Sequence, residues 1–333
     1  MPAQRILFVV RGKLGDSLIP YATVKNYIDA HPDHEVWLLT RKPYARPLRD
    51  EAGLHLVPFN SRIEMMAKLI WMRWTQPAFD VLAVLWGFGN PILRVSQLVR
   101  TKRRIYLDGS FPEAYPEWPQ PYVYANHSDR AWRVTQVFDP AIAKPSRLTI
   151  ASLKARREAR ARRGAVVVIP AADEDRRTLD VPTLCNLLAG VAERHPGHPL
   201  WLVVNPRDRR VREFVTATLP KGVEVKRFSS VSGLIELLMD CDYYYGMDTG
   251  VYHLAVAMGI EATVFFGGTQ PLVAIMPEQG GVRSVRLTVL GNEHCDVTTC
   301  ACPLCLYQAA DSFFGKRSAT PLADTPAACP LRA

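Results

Sequence analysis

Ile6-Leu7-Phe8-Val9-Val10-Arg11-Gly12-Lys13-Leu14-Gly15-Asp16-Ser17 is the stretch that decides the fold class. Five consecutive apolar residues, several of them β-branched, read as a strand buried on both faces. Glycines at 12 and 15 let the backbone turn tightly. Beyond them, Leu18, Ile19, Ala22, Val24 and Ile28 suit a helix that ends before His31-Pro32. Strand, glycine-bearing turn and helix in this order make half of a parallel βαβ unit.

The theme continues on both sides of a break. In the first half, residues 36–39, 81–85 and 105–107 read as strands, and 63–74 and 92–99 as helices. Pro112, Pro116, Pro119 and Pro121 then mark an irregular loop, followed by a helix over 129–138. A composition shift between about 140 and 163 ends in Arg156, Arg157, Arg160, Arg162 and Arg163, just before a new buried strand at 166–169. Strands at 200–204, 223–228, 243–246 and 263–266 then alternate with helices at 181–193, 209–219, 231–240 and 250–258. The expected class is α/β, with Rossmann-like parallel-sheet domains over 1–150 and 160–300. A Cys/Pro/Ala-rich tail follows at 301–333. Two such domains should present ligands with a cleft at the carboxyl ends of their strands.

Size and composition agree. At 333 residues the chain is long for one core. Hydrophobic residues at 48% and charged residues at 22% exclude a disordered chain. No apolar run approaches the ~18–20 residues needed to cross a bilayer. The five-residue run at 6–10 is too short for a signal-peptide core, so the expected compartment is the cytoplasm. The net charge of +9 is carried by scattered residues without a zinc-finger, RRM or helix-turn-helix signature, so nucleic acid is not an expected partner. An anionic substrate, or peripheral docking on the inner face of the cytoplasmic membrane, fits that charge, as does a merely basic proteome.

Three motifs could carry chemistry. Lys13, Gly15, Asp16 and Ser17 lie where a strand gives way to a helix, a place suited to an anion or an acceptor. The loop lacks the Gly-Lys-Ser/Thr of a Walker loop and the Gly-x-Gly-x-x-Gly of a dinucleotide site. Asp16 could take a proton from an incoming hydroxyl, or it could be the N-cap of the helix. In Gly246-Met247-Asp248-Thr249-Gly250-Val251-Tyr252-His253-Leu254 a second strand-to-helix turn offers caps, an open helix start and a histidine one turn in. Such a group could grip a phosphate, although a lone histidine on an apolar helix face is commonly a core residue. Finally, Cys295, Cys300, Cys302 and Cys305, with Cys329 and His294 nearby, could close a structural zinc or iron site. Trp71, Trp74, Trp86 and Phe88 could line an acceptor groove but read more simply as core aromatics. The Arg156–Arg163 cluster could touch anionic lipid but reads more simply as a solvated helix face.

Taken together, residues 6–20 and 246–259 resemble glycosyltransferase family nine, the ADP-heptose:lipopolysaccharide heptosyltransferases. Thr263-Val-Phe-Phe-Gly-Gly-Thr-Gln-Pro271 is similar to the Phe-Gly-Pro-Thr turn that follows in that family. The resemblance implies a GT-B fold and an inverting transfer that needs no metal. Asp16 would be general base on the acceptor hydroxyl. Asp248, Thr249, Gly250 and His253 would hold the donor, with ADP-heptose as first choice. The acceptor would be a cell-envelope saccharide such as lipopolysaccharide core, an anionic glycan or glycolipid. One segment departs from the family: Ile169-Pro-Ala-Ala-Asp-Glu-Asp-Arg-Arg-Thr-Leu179 lacks the usual His-Pro-Gly, and Arg176 or Arg177 stands in for its lysine. Arginine can still grip a phosphate, and bidentately. The departure leaves two other readings open: a non-catalytic relative that binds a nucleotide sugar, or a heptosyltransferase that modifies protein.

Overall fold

The computed structural model describes residues 3–87, 94, 96–107, 109, 111–119, 127–172, 177–208, 210–266, 276, 279 and 282–286. The chain divides into two compact units. One comprises Met1–Leu153 with Met276–Glu278, the other Lys154–Ile275 with Gln279–Ala333.

In the first unit, strands β1 (Arg5–Val10), β2 (Glu35–Arg41), β3 (Leu54–Phe59), β4 (Phe79–Trp86) and β5 (Thr101–Tyr106) form one sheet in the order β3-β2-β1-β4-β5. Every pairing in it is parallel. Residues 6–10 of β1 are all buried, as a central strand covered on both faces requires. The order reverses between β1 and β4, and loops at the carboxyl ends of such neighbours form a ready ligand site. Helix α1 (Leu14–Ala30) follows β1 and ends at His31 as expected. The short α2 (Lys42–Ala45) precedes β3. Helix α3 (Arg62–Thr75) is capped by Ser61, whose hydroxyl accepts the Glu64 N–H at 3.1 Å. Helix α4 (His127–Gln136) starts two residues before its expected position.

In the second unit, β6 (Ala165–Ile169), β7 (Leu200–Val204), β8 (Val223–Arg227), β9 (Cys241–Met247), β10 (Glu261–Phe266) and β11 (Val282–Arg286) order as β11-β10-β9-β6-β7-β8. All pairings are again parallel, and the reversal lies between β6 and β9. Helices α6 (Val181–Arg194), α7 (Val211–Thr216), α8 (Val231–Met239) and α9 (Gly250–Ala257) complete it. Asp180 and Ser230 cap α6 and α8 through their side chains. Val166, Val168, Leu184, Leu188, Leu202 and Phe265 make the core on one side of this sheet.

Several expectations change. Helix α5 (Ala151–Glu158) begins the arginine cluster, in which Arg156, Arg160, Arg162 and Arg163 are exposed as expected and Arg157 is not. Arg157 is 5% exposed. Its Nη2 and Nε donate to the Cys241 carbonyl at 2.6 and 3.1 Å, and Nη2 also meets Asp242 at 3.1 Å. Arg162 pairs with Asp242, Arg160 and Arg163 with Asp240, and Arg156 with Glu236. Glu236, Asp240 and Asp242 offset part of the cluster's charge. Trp71 and Trp74, expected in the core, are exposed, whereas Trp86 is buried and Phe88 lies outside the described residues. Of the helix expected at 92–99, residues 92, 93 and 95 lie outside the described residues, and the tail from 301 lies wholly outside them. Among the described residues, no helix is long and apolar enough to cross a membrane.

Candidate functional site

The turn after β1 is built around Asp16. Lys13, not Asp16, is the N-cap of α1, and Asp16 is the third residue of the helix. Its Oδ2 accepts the Lys13 N–H at 3.2 Å, which satisfies one of the orphan donors of a helix start. That fixes the carboxylate in the turn through one oxygen. The Lys13 carbonyl accepts from Ser17 N–H at 3.0 Å. Ser17 is buried and Gly15 half-buried, while Lys13 is exposed. The Arg11 N–H donates to the Trp86 carbonyl at 2.8 Å, which ties this turn to the end of β4.

Three further residues gather here that sequence reasoning did not assign to a site. His127 stands edge-on to Trp86, with ring centroids 5.4 Å apart, and the Arg130 guanidinium lies over Trp86 at 5.4 Å. Burial pushes the His127 imidazole below the ordinary histidine value. Arg130 adds to that shift and the Asp16 carboxylate opposes it. The sequence offered a weak signal only, because the period of α4 becomes apolar after Asp129.

The second site lies at the strand-order reversal of the other sheet, after β6 and β9. Thr249 is the N-cap of α9, its Oγ1 accepting from Val251 N–H at 3.3 Å. Asp248 is 8% exposed. Arg177 reaches it from the loop after β6, donating through Nη1 to the Asp248 carbonyl at 3.1 Å with the carboxylate at 3.8 Å. Arg177 is held in place by its neighbours. Thr178 Oγ1 accepts from the Ala172 N–H at 3.1 Å and donates to the Ala172 carbonyl at 3.3 Å, and Leu179 N–H donates to Pro170 at 2.9 Å. These bonds close the loop behind Arg177.

Two tyrosines complete the floor. The Tyr244 hydroxyl lies beside Thr249 and under Gly246, where a Cβ would overlap it. Period-two spacing along β9 puts Tyr244 and Gly246 on one sheet face, so the tyrosine can lie across the glycine. Tyr252, on α9, is also buried. Burial raises both phenols well above the ordinary tyrosine value, and the Asp248 charge raises them further. His253 is buried with its ring against Tyr252, centroids 3.9 Å apart. The arrangement sets one guanidinium, a helix N-terminus and neutral phenols around a buried carboxylate, a setting suited to an anion with attached hydroxyls.

The structure therefore brings Arg177, Asp248, Thr249 and Gly250 together, with His253 on the next turn. Arg176 lies outside the described residues, as do Cys295, Cys300, Cys302 and Cys305. Among the described residues, no group of three or more His, Cys, Asp or Glu is placed to hold a metal.

No family profile matches the chain, and no curated protein matches it by sequence. Solved structures do match by shape. A glycosyl transferase family 9 protein from Veillonella parvula superposes with a TM-score of 0.71, covering 92% of this chain and 95% of its own, at 10% identity. The E. coli heptosyltransferase WaaC with ADP gives 0.69 over 84% and 93%, at 17% identity. E. coli ADP-heptose LPS heptosyltransferase II gives 0.63 over 93% and 98%, at 15% identity. The chain thus has the GT-B fold of solved family-nine glycosyltransferases and heptosyltransferases, and at these identities the fold is what it shares with them.

Proposed function

We propose that the protein is an inverting glycosyltransferase that moves a sugar, first choice heptose from ADP-heptose, onto a cell-envelope saccharide. The observation that carries the reading is Arg177 beside Asp248 at the N-terminus of α9. That pairing supplies a cation beside a helix N-terminus where a departing diphosphate needs one. The diphosphate and sugar would be held by Arg177, Asp248, Thr249, Gly250 and His253, with Arg176 from the same loop.

Asp16 is the general base. Oδ2 is engaged by the Lys13 N–H, which leaves Oδ1 to take the acceptor proton. The acceptor oxygen attacks the anomeric carbon from the face opposite the nucleotide. The anomeric C–O bond breaks, and the electron pair leaves with the diphosphate. His127 is held largely neutral by burial, so it presents an uncharged imidazole near Asp16 rather than a cation that would blunt its basicity. Transfer itself requires no metal in this scheme.

The reading is tested by titrating the protein with ADP and ADP-heptose and then assaying transfer to lipopolysaccharide core. Binding of both, with turnover abolished and binding kept in Asp16→Asn, supports it. Donor binding without turnover on any acceptor, in either protein, would favour a non-catalytic binding relative. Incorporation into polypeptide would redirect the acceptor to protein.

A further inference from the structure

Six large apolar side chains are exposed among the described residues, and five of them lie on α3: Ile63, Met66, Ile70, Trp71 and Trp74. At about 100° per residue these positions form one stripe along the helix. Met65, Leu69 and Met72 form a second, buried stripe on the opposite side. A helix with one apolar face packs it on its own sheet. A second apolar face of this size calls for an apolar phase outside the unit. The two ends of the stripe are its most open points, Ile63 at 79% and Trp74 at 78% exposed.

The flanks are charged. Arg62 and Arg73 fall on one side of the stripe by the same helical geometry, and the Lys68–Glu64 pair, at 3.2 Å, on the other. Arg73 donates to the Leu98 carbonyl at 3.2 Å. Arg100 donates to the carbonyl of Gln76, the C-cap of α3, at 2.8 Å. Both guanidinium groups are thus positioned by carbonyls.

We propose that α3 is an interfacial helix that seats the first unit on an anionic lipid bilayer. Tryptophan side chains, with an apolar body and one N–H, settle at the headgroup boundary, and basic flanks add attraction to anionic lipid. A second copy on the same stripe is the poorer occupant, because it would press two molecules of charge +9 together. The inference deepens the proposed function by giving a membrane-borne acceptor a surface from which to reach the enzyme.

The test uses neither donor nor acceptor, so its outcome is separate from that of the transferase reading. Full-length protein is floated with phosphatidylcholine vesicles, with and without phosphatidylglycerol, and Trp quenching by brominated acyl chains is read on the same samples. Wild type should bind the anionic vesicles and be quenched. Trp71→Ser with Trp74→Ser should weaken binding about tenfold or more at an unchanged melting temperature. Ile63→Asp provides a second variant at the other end of the stripe. The proposal is overturned if wild type ignores anionic vesicles, or if both variants bind as wild type does. It is equally overturned if the stripe variants instead dissociate a dimer and leave vesicle binding intact.

Discussion

Gly12 lies directly under the Asp16 side chain: a Cβ on Gly12 would overlap the Asp16 Cβ and crowd its carboxylate at 3.1 Å. The glycine is therefore fixed by the aspartate rather than by any special backbone angle. Gly12→Ala must push Asp16 away, yet it removes no buried contact. Turnover should fall about a hundredfold, since displacements of an ångström cost that much. The melting temperature should fall too, because the Asp16 Cβ is fixed to the helix backbone and the turn or α1 must shift. Transfer kinetics beside a thermal melt check this. A Gly12→Ala enzyme with undiminished kcat would remove Asp16 as the base.

Arg177 is the cation set against the buried Asp248. Arg177→Ala should weaken ADP binding by about tenfold to a hundredfold, the range of a charge-assisted contact. Arg177→Lys should recover part of that, because lysine keeps the charge and loses the fork. Calorimetric titration with ADP distinguishes the three proteins. Equal affinities would mean that the anion is held elsewhere.

Much of this was legible because strands buried on both faces announce themselves. Ala165–Ile169 and Leu200–Val204 are apolar at every position, and their bounds follow almost residue by residue. Leu54–Phe59 was not read as a strand because it is an edge strand, only half-buried over much of its length, and Pro58 interrupts its pattern. An edge tolerates that proline, since one N–H side pairs with nothing. The start of β5 was hidden in the same way by Lys102, Arg103 and Arg104. The turns around Asp16 and Asp248 stood out through glycines and caps. His127 did not, because it joins the Asp16 turn only through tertiary packing.

Arg157 shows that limit most sharply, since five clustered arginines look like a solvent-facing group. Folding buries one of them against the Cys241 carbonyl and Asp242. Arg157→Ala should cost about 1–3 kcal/mol, mainly by taking the guanidinium donors from the Cys241 carbonyl, since Asp242 keeps Arg162. Arg163→Ala, on a 68% exposed side chain, should cost under about 1 kcal/mol. Urea unfolding of the two variants checks the contrast. ADP affinity measured below the transition should be unchanged in both, because neither side chain belongs to the donor site. Comparable losses of stability would show that the buried clamp does not hold β9.

Acid stability follows from the depressed histidines. His127, His34 and His195 all lie below the ordinary histidine value, chiefly through burial. As pH falls through ~6.5 the unfolded chain takes up these protons before the folded one does. Stability is therefore held above that pH and lost towards the folded-state values. The steepest loss any one histidine can contribute is about 1.4 kcal/mol per pH unit. His127→Gln removes the most buried of the three titrations, so its unfolding midpoint should fall less between about pH 7 and about pH 5.5 than that of wild type. Parallel pH curves for the two proteins would mean that His127 titrates alike in both states, and that its imidazole is not held neutral beside Asp16.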